Sequence, residues 1–255
     1  MKNILNHIRA NRAPWFKQWF DSMYYHNLYA NRDDNEAAGF IDELVHELQP
    51  ASNATMLDLG CGRGRHAKHL AQKGFIVVGL DIAFSSIREA RQHETPQLQF
   101  CCHDMRRPFG TNCFDYIFNC FTSFGYFNTL AENDAVVQNM ARALTPGGTV
   151  VIDYLNVAVA EKKLVPKEQK EVDGIVYNIT RWDNDDYFFK RIDITDKQWQ
   201  QTFDYTEQVA KFRLADFDCL FKHNGLQLEG VYGDYALNNY NAEISPRLIM
   251  TAKKI

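Results

Sequence analysis

The sequence predicts an α/β fold whose largely parallel sheet carries helices on both faces. Three observations support that expectation. Short apolar runs alternate with amphipathic helical patterns as far as residue 154, the order that packs helices against a parallel sheet. One of those runs, Phe75 to Leu80 (FIVVGL), is apolar throughout, as a strand buried on both faces must be. Another, Thr55 to Leu59, leads directly into Gly60-Cys61-Gly62-Arg63-Gly64, a turn that bends a strand sharply into a helix and leaves its peptide planes bare. With 255 residues, 45% hydrophobic and 24% charged, the chain suffices for one sizeable domain and an elaboration.

The elements follow in order. Met1 to Asn11 is polar and without period, as in a frayed tail. From Pro14, the residues Trp15, Phe16, Trp19, Phe20, Met23, Tyr24 and Tyr25 recur at helical spacing and form an aromatic face that docks on the core. Asn35 to Leu48 is a second amphipathic helix, with Ala38, Ile41, Leu44, Val45 and Leu48 inward, and Gln49-Pro50 ends it. Helices are then expected over 65–72, 86–91 and 133–144, and strands over 55–59, 75–80, 98–101, 114–119 and 149–154, with Thr145-Pro146-Gly147-Gly148 stopping the last helix.

From Leu155 to Leu214 the alternation stops. Asp173-Gly174 is a two-residue hairpin signal, Asn184-Asp185-Asp186 separates Ile175–Trp182 from Tyr187–Ile194, and Trp199 to Val209 alternates. These runs predict a small antiparallel sheet inserted at the carboxyl ends of the parallel strands, roofing a pocket and setting its selectivity. A helix over 215–223, capped by Gly225, and strands over 226–232 and 246–252 return the chain to the core. The expected division is 1–154 for lid helices and ligand-binding core, 155–214 for the cap, and 215–255 for completion of the sheet.

The glycine turn reads as a ligand seat, and Asp58 narrows the choice of ligand. A dinucleotide fingerprint spaces its glycines G-x-G-x-x-G and sets a diphosphate on the helix N-terminus. Here the run is G-x-G-x-G with an acid two residues ahead, which repels phosphate and attracts an ammonium. D-x-G-x-G-x-G after a strand resembles the first motif of the class I S-adenosylmethionine-dependent methyltransferases, and L-T-P-G-G before an apolar strand is a further landmark of that family. The resemblance implies a seven-stranded, mostly parallel, Rossmann-like sheet with an antiparallel final strand, S-adenosyl-L-methionine as cofactor, and no metal.

The same resemblance assigns residues. The cofactor would lie on Asp58, Gly60, Cys61 and Gly62; its ribose would be gripped by Asp81 beside Ile82, some 20 residues beyond the turn. Asp81 has a competing reading as a helix N-cap. Asp104 and Met105 fall where the adenine is held, and Asn119 and Cys120 where the methionyl part lies. A Y-x-x-x-Y-x-x-R stretch precedes the first strand in aminosugar-modifying N-methyltransferases; Tyr25, Tyr29 and Arg32 match it. Arg32 either pairs with the methionyl carboxylate or is a solvated charge beside Asp33 and Asp34. Ser123, Tyr126, Tyr154 and Arg247 are the expected substrate contacts, Arg247 alternatively forming a structural ion pair. Tyr126, His103 and Tyr24 are the candidate catalytic residues, although a histidine at a strand end also serves as a packed or capping group. The family often has a histidine where this chain has Tyr126.

Composition excludes other classes. A net charge of −4 and a pI near 6.1, with Lys and Arg scattered, give no field for nucleic acid. The six cysteines include no C-x-x-C pair and read as reduced thiols in a cytoplasmic protein. No run approaches a membrane span. The expectation is a small-molecule N- or O-methyltransferase, monomeric or homodimeric. The competing readings are a protein or RNA methyltransferase, a non-catalytic cofactor-binding protein and, last, a nicotinamide oxidoreductase.

Overall fold

The computed structural model describes residues 14–30 and 34–255. Helices α1 (Trp15–Phe20), α2 (Met23–Leu28) and α3 (Asp34–Leu48) precede β1 (Thr55–Leu59), α4 (Arg65–Gln72), β2 (Ile76–Asp81), α5 (Phe84–Ala90) and β3 (Leu98–Cys102). Next come β4 (Phe114–Asn119), α6 (Leu130–Ala143), β5 (Leu144–Leu155) and α7 (Val157–Lys162). The strands β6 (Lys167–Val172), β7 (Ile175–Asp183), β8 (Tyr187–Asp196) and β9 (Gln201–Ala210) follow, then α8 (Leu214–His223), β10 (Leu226–Tyr232) and β11 (Arg247–Lys254).

The main sheet has seven strands in the order β10-β11-β5-β4-β1-β2-β3. All neighbours run parallel except β11, which is antiparallel to both β10 and β5. After β3 the chain crosses back to the other side of β1, so the order reverses between β1 and β4. A crevice opens at such a reversal beyond the carboxyl ends of the strands, because the two connections leave toward opposite faces.

Strand alternation explains the two buried layers. Leu57, Leu59, Val150, Ile152, Leu248 and Met250 face α6 and α8, meeting Val136, Met140, Phe217 and Phe221. Met56, Val77, Phe118, Val151 and Ile249 face the opposite side, against Ile41, Leu44, Leu70 and Ile87 of α3, α4 and α5. In α3 the inward alanine is Ala37 rather than Ala38, with Phe40 completing the stripe.

Two further local expectations are corrected. The aromatic helix after Pro14 is two helices, because the Ser22 hydroxyl donates to Trp19 O at 2.7 Å, closing α1, and accepts Tyr25 N at 3.1 Å, opening α2. The T-P-G-G stretch stays in β5 as an irregularity: Phe114 pairs with Leu144, and the next pair is Tyr116 with Thr149. The helix α7 had no clear periodicity to announce it.

The second sheet is four-stranded and antiparallel, β6-β7-β8-β9. Its first turn is Asp173-Gly174 with φ of 50° and 78°, the left-handed pair that a type I′ hairpin requires. One face of this sheet buries Ile175, Tyr177, Ile179, Ile192 and Ile194 against Trp19 and Tyr24 of the N-terminal helices. Its last strand is fastened to the core at Ala210, whose N–H donates to Gly125 O at 2.9 Å and whose carbonyl accepts the fully buried Tyr154 hydroxyl at 2.5 Å. Tyr154→Phe should therefore lower unfolding free energy by about 1–3 kcal/mol, the cost of leaving a buried carbonyl short of its donor; urea denaturation followed by tryptophan fluorescence checks this.

Candidate active site

A cavity of about 340 Å³ lies at the order reversal, bounded by the carboxyl ends of β1, β2 and β4, the segment after β3, and helices α1 and α2. Its floor is the glycine turn. Gly60 and Cys61 N–H both donate to Leu80 O, at 2.7 and 3.0 Å, tying the turn to β2. Gly60 has φ +80°, and a Cβ there would fall 2.6 Å from the Cβ of Ser123, so only glycine lets the 120–127 loop cross the turn. At Gly62, φ is +54° and a Cβ would meet nothing within 4 Å, leaving bare backbone open to a ligand.

Two acids organise this floor, Asp81 half-buried on the wall and Asp58 fully buried beneath it. Asp81 accepts Gly62 N–H on one oxygen and Ala83 N–H on the other, each at 2.8 Å. It thus also supports the start of α5, as its capping alternative required, while burial pushes its carboxyl above the ordinary value. Each oxygen keeps a lone pair, and the residue lies on the cavity wall. Asp58 is a correction. It is 1% exposed and absent from the wall, and its carboxylate instead accepts Ala67 N–H at 3.1 Å, satisfying an orphan donor in the first turn of α4. It acts on a ligand through the turn it braces and through its charge.

At the far wall Asp104 is gripped by Arg106, whose Nη2 and Nε reach its two oxygens at 2.7 and 3.1 Å, and Arg106 also meets Glu132 at 2.5 Å. The Arg106 guanidinium lies 5.0 Å from the Phe16 ring centre and 5.1 Å from that of Phe127. Three cavity groups are thereby set by one cation, and Arg106 holds the Asp104 carboxyl below the usual range against its desolvation.

The roof is α1 and α2, contributing Phe16, Phe20, Tyr25, His26 and Tyr29. Phe20 meets Tyr25 and Tyr126 edge-on, each at 5.1 Å between ring centres. His26 contacts Ser85 Oγ at 2.9 Å, and burial, with Arg63 nearby, holds its imidazole below the usual value. The antiparallel sheet, expected to be the roof, contributes no wall residue; it lies behind the helices. There Glu207 accepts Trp19 Nε1–H at 2.6 Å, and Lys190 donates to the Tyr29 hydroxyl while its ammonium sits 3.5 Å from Glu207. The aromatic run of α1 and α2 was read as core docking, and its other face is what covers the cavity.

The fold brings together on this wall Tyr25, Tyr29, Gly60, Cys61, Gly62, Asp81, Ile82, His103, Asp104, Met105, Cys120, Ser123 and Tyr126. Besides Asp58, it places four expected residues elsewhere. Tyr24 is buried with its hydroxyl on Asp196 at 3.2 Å. Asn119 is fully buried and donates to Leu59 O at 2.7 Å. Tyr154 is spent on Ala210, and Arg247 forms the ion pair foreseen as its alternative, at 2.7 Å from Asp153. Arg32 lies outside the described residues. Sequence reading missed His26, Arg65, His66 and Lys68 on the wall. The last three follow the glycine turn, where proximity to the motif was the available signal.

Burial raises the Asp58 carboxyl to about 7. The folded chain therefore retains a proton that the unfolded chain has lost, so stability from this group is greatest below the ordinary aspartate pKa and fades as pH rises through about 7. A cation placed in the cavity draws that proton off. Affinity for S-adenosylmethionine should thus rise between pH 6 and pH 8, roughly the window around that value. Titration calorimetry in buffers of different ionisation heat should detect proton release, diminished in Asp58→Asn.

The chain is 30% identical over 131 residues to a dTDP-3-amino-3,4,6-trideoxy-alpha-D-glucopyranose N,N-dimethyltransferase of Streptomyces venezuelae, covering 51% of this chain and 54% of that one. In fold it matches an S-adenosylmethionine-dependent methyltransferase of Clostridium acetobutylicum, with TM-score 0.75, 20% identity, and 99% and 98% of the two chains covered. It also matches an S-adenosylmethionine-bound amino pentose methyltransferase, CalS10, of Micromonospora echinaspora, with TM-score 0.66, 21% identity, and 92% and 98% covered. A methyltransferase domain model matches residues 50–214. With that match spanning well over half its length, the chain belongs to the methyltransferase domain family, as an S-adenosylmethionine-dependent enzyme.

Proposed function

We propose that the enzyme methylates an amine nitrogen of a small molecule held under the aromatic roof. The observation that supports this most is the enclosure. A cavity of about 340 Å³, within the size range of small-molecule sites, is walled by Phe16, Phe20, Tyr25, Tyr126 and Phe127 above the glycine turn. The printed activities of the Streptomyces relative and of CalS10, an aminosugar N,N-dimethyltransferase and an amino pentose methyltransferase, agree with an amine acceptor.

The residues present suit the cofactor. Gly60 and Gly62 offer a cradle without side chains, Asp81 has acceptor capacity for vicinal hydroxyls, and the Asp104–Met105 segment lies farther along the wall. When bound, S-adenosylmethionine supplies an electrophilic methyl on a positively charged sulfur. The chain's work is to align the acceptor nitrogen in line, exclude water, and accept one proton. Alignment falls to the aromatic walls, whose faces also favour the ammonium that amine methylation produces, by about 0.5–2 kcal/mol. His103 and Tyr126 are the wall groups proposed to receive the proton. His103 Nε2 sits 3.3 Å from Arg107 O, which favours placing its N–H there and leaving Nδ1 as the acceptor.

No helix among the described residues is long and apolar enough to cross a membrane; we assign the enzyme to the cytoplasm. We also retain the division into core 1–154, insert 155–214 and completion 215–255, with the insert acting on the site through α1 and α2. Incubation with S-adenosylmethionine and matched amine and alcohol acceptors, read by mass spectrometry, should show transfer to amines; transfer to alcohols alone would contradict the reading. Asp81→Ala should weaken S-adenosylhomocysteine binding by roughly tenfold or more, the value of lost charge-assisted hydrogen bonds, as measured by calorimetry.

A further inference from the structure

Two consecutive residues of the cavity wall, Phe121 and Thr122, have φ of 56° and 57°. The left-handed region is costly for any side chain and most costly for a β-branched one, so Thr122 must be held there by its surroundings. A single residue supplies most of the hold. The Asp153 carboxylate accepts Phe121 N–H at 2.7 Å, and the Asp153 main-chain carbonyl accepts Thr122 N–H at 3.0 Å. Arg247 closes the network: its Nε donates to Asp153 at 2.7 Å, and its Nη2 donates to the Thr122 hydroxyl at 2.8 Å. The Tyr235 hydroxyl donates to the same carboxylate at 3.3 Å, and the Tyr235 ring packs on Phe121 at 5.2 Å.

Asp153 is fully buried on a central strand and takes no part in the wall. A fully buried acid facing an arginine that is itself only 20% exposed is an unpromising way to gain stability, since desolvation offsets most of the attraction. Its geometry is informative instead. Both N–H groups of the strained pair are turned onto a residue outside the cavity, and the next residue, Ser123, lies over Gly60 with its hydroxyl on Cys120 O at 2.8 Å. We infer that Asp153 and Arg247 are positioning residues of the methyl-transfer site, forcing residues 121–122 into the conformation that shapes the cavity wall over the glycine turn. This inference rests on the cofactor cavity assigned above.

The test uses calorimetric titration of S-adenosylhomocysteine into four proteins, with thermal melting of each. Wild type binds. Asp153→Asn keeps an acceptor at only one of the two oxygen positions, setting an amide N–H against either Arg247 Nε–H or the Phe121 N–H and Tyr235 hydroxyl, and should weaken binding roughly ten- to a hundredfold, the scale of strain held at one such residue. Adding Thr122→Gly to Asp153→Asn removes the penalty for a positive φ and should recover at least part of that loss, a response that a purely structural role for Asp153 does not produce. Should Asp153→Asn fail to fold, Arg247→Lys keeps the buried charge but loses the second prong to Thr122. It should weaken binding several-fold with a small change in melting temperature. Unchanged affinity in either folded variant, or no recovery in the double variant, overturns the inference. Failure of wild type to bind would instead overturn the cofactor cavity itself.

Discussion

The structure depends on one steric constraint: two loops must cross between β1 and β4 with no side chain between them. Gly60 lies beneath Ser123 at a separation that excludes a Cβ. Close by, Gly79 leaves space that Phe100 and Cys61 fill, since a Cβ there would sit 2.4 Å from the Phe100 ring. Relieving either contact would lift the turn from the sheet. The crevice floor is bare backbone for two reasons: Ser123 leaves no room for a side chain at Gly60, and φ of +54° favours glycine at Gly62.

Around that crossing the strands carry acids near their carboxyl ends, Asp58 and Asp153 fully buried and Asp81 half-buried. Asp58, Asp81 and Asp153 close β1, β2 and β5, and burial raises the carboxyl of each. Arg247 compensates Asp153, and backbone N–H groups partly compensate the other two. The carboxylate charge that remains, on Asp81 and on Asp58 above about pH 7, favours a ligand carrying sulfonium and ammonium charge, while Arg63, Arg65 and Lys68 on the same wall offset part of it. On this view Asp58 need not touch the ligand in order to select it.

Much of this was legible in the sequence. Glycine spacing, apolar runs and the Asp173-Gly174 turn encode local geometry, so the parallel core and the four-stranded insert could be anticipated from short windows. The residues at strand ends, Gly60, Asp81 and Asp104, could be located for the same reason. What escaped depends on contacts distant in sequence. Tyr154 looks like a pocket residue until Ala210 returns to meet it, and Tyr24 until Asp196 does. The role of the insert was misjudged because connection order does not reveal that α1 and α2 lie between it and the cavity. Positive φ at Thr122 had no sequence signal, since threonine ordinarily avoids that region.

The central claim is that a zwitterionic nucleoside bearing a charged sulfur rests on the backbone of Gly60 and Gly62. A crystal structure of the chain grown with S-adenosylmethionine tests it most directly. The account predicts ribose hydroxyls on Asp81 and the adenine edge at Asp104 and Met105. Density for that ligand anywhere other than the crevice between β1 and β4, or with its ribose away from Asp81, would contradict it.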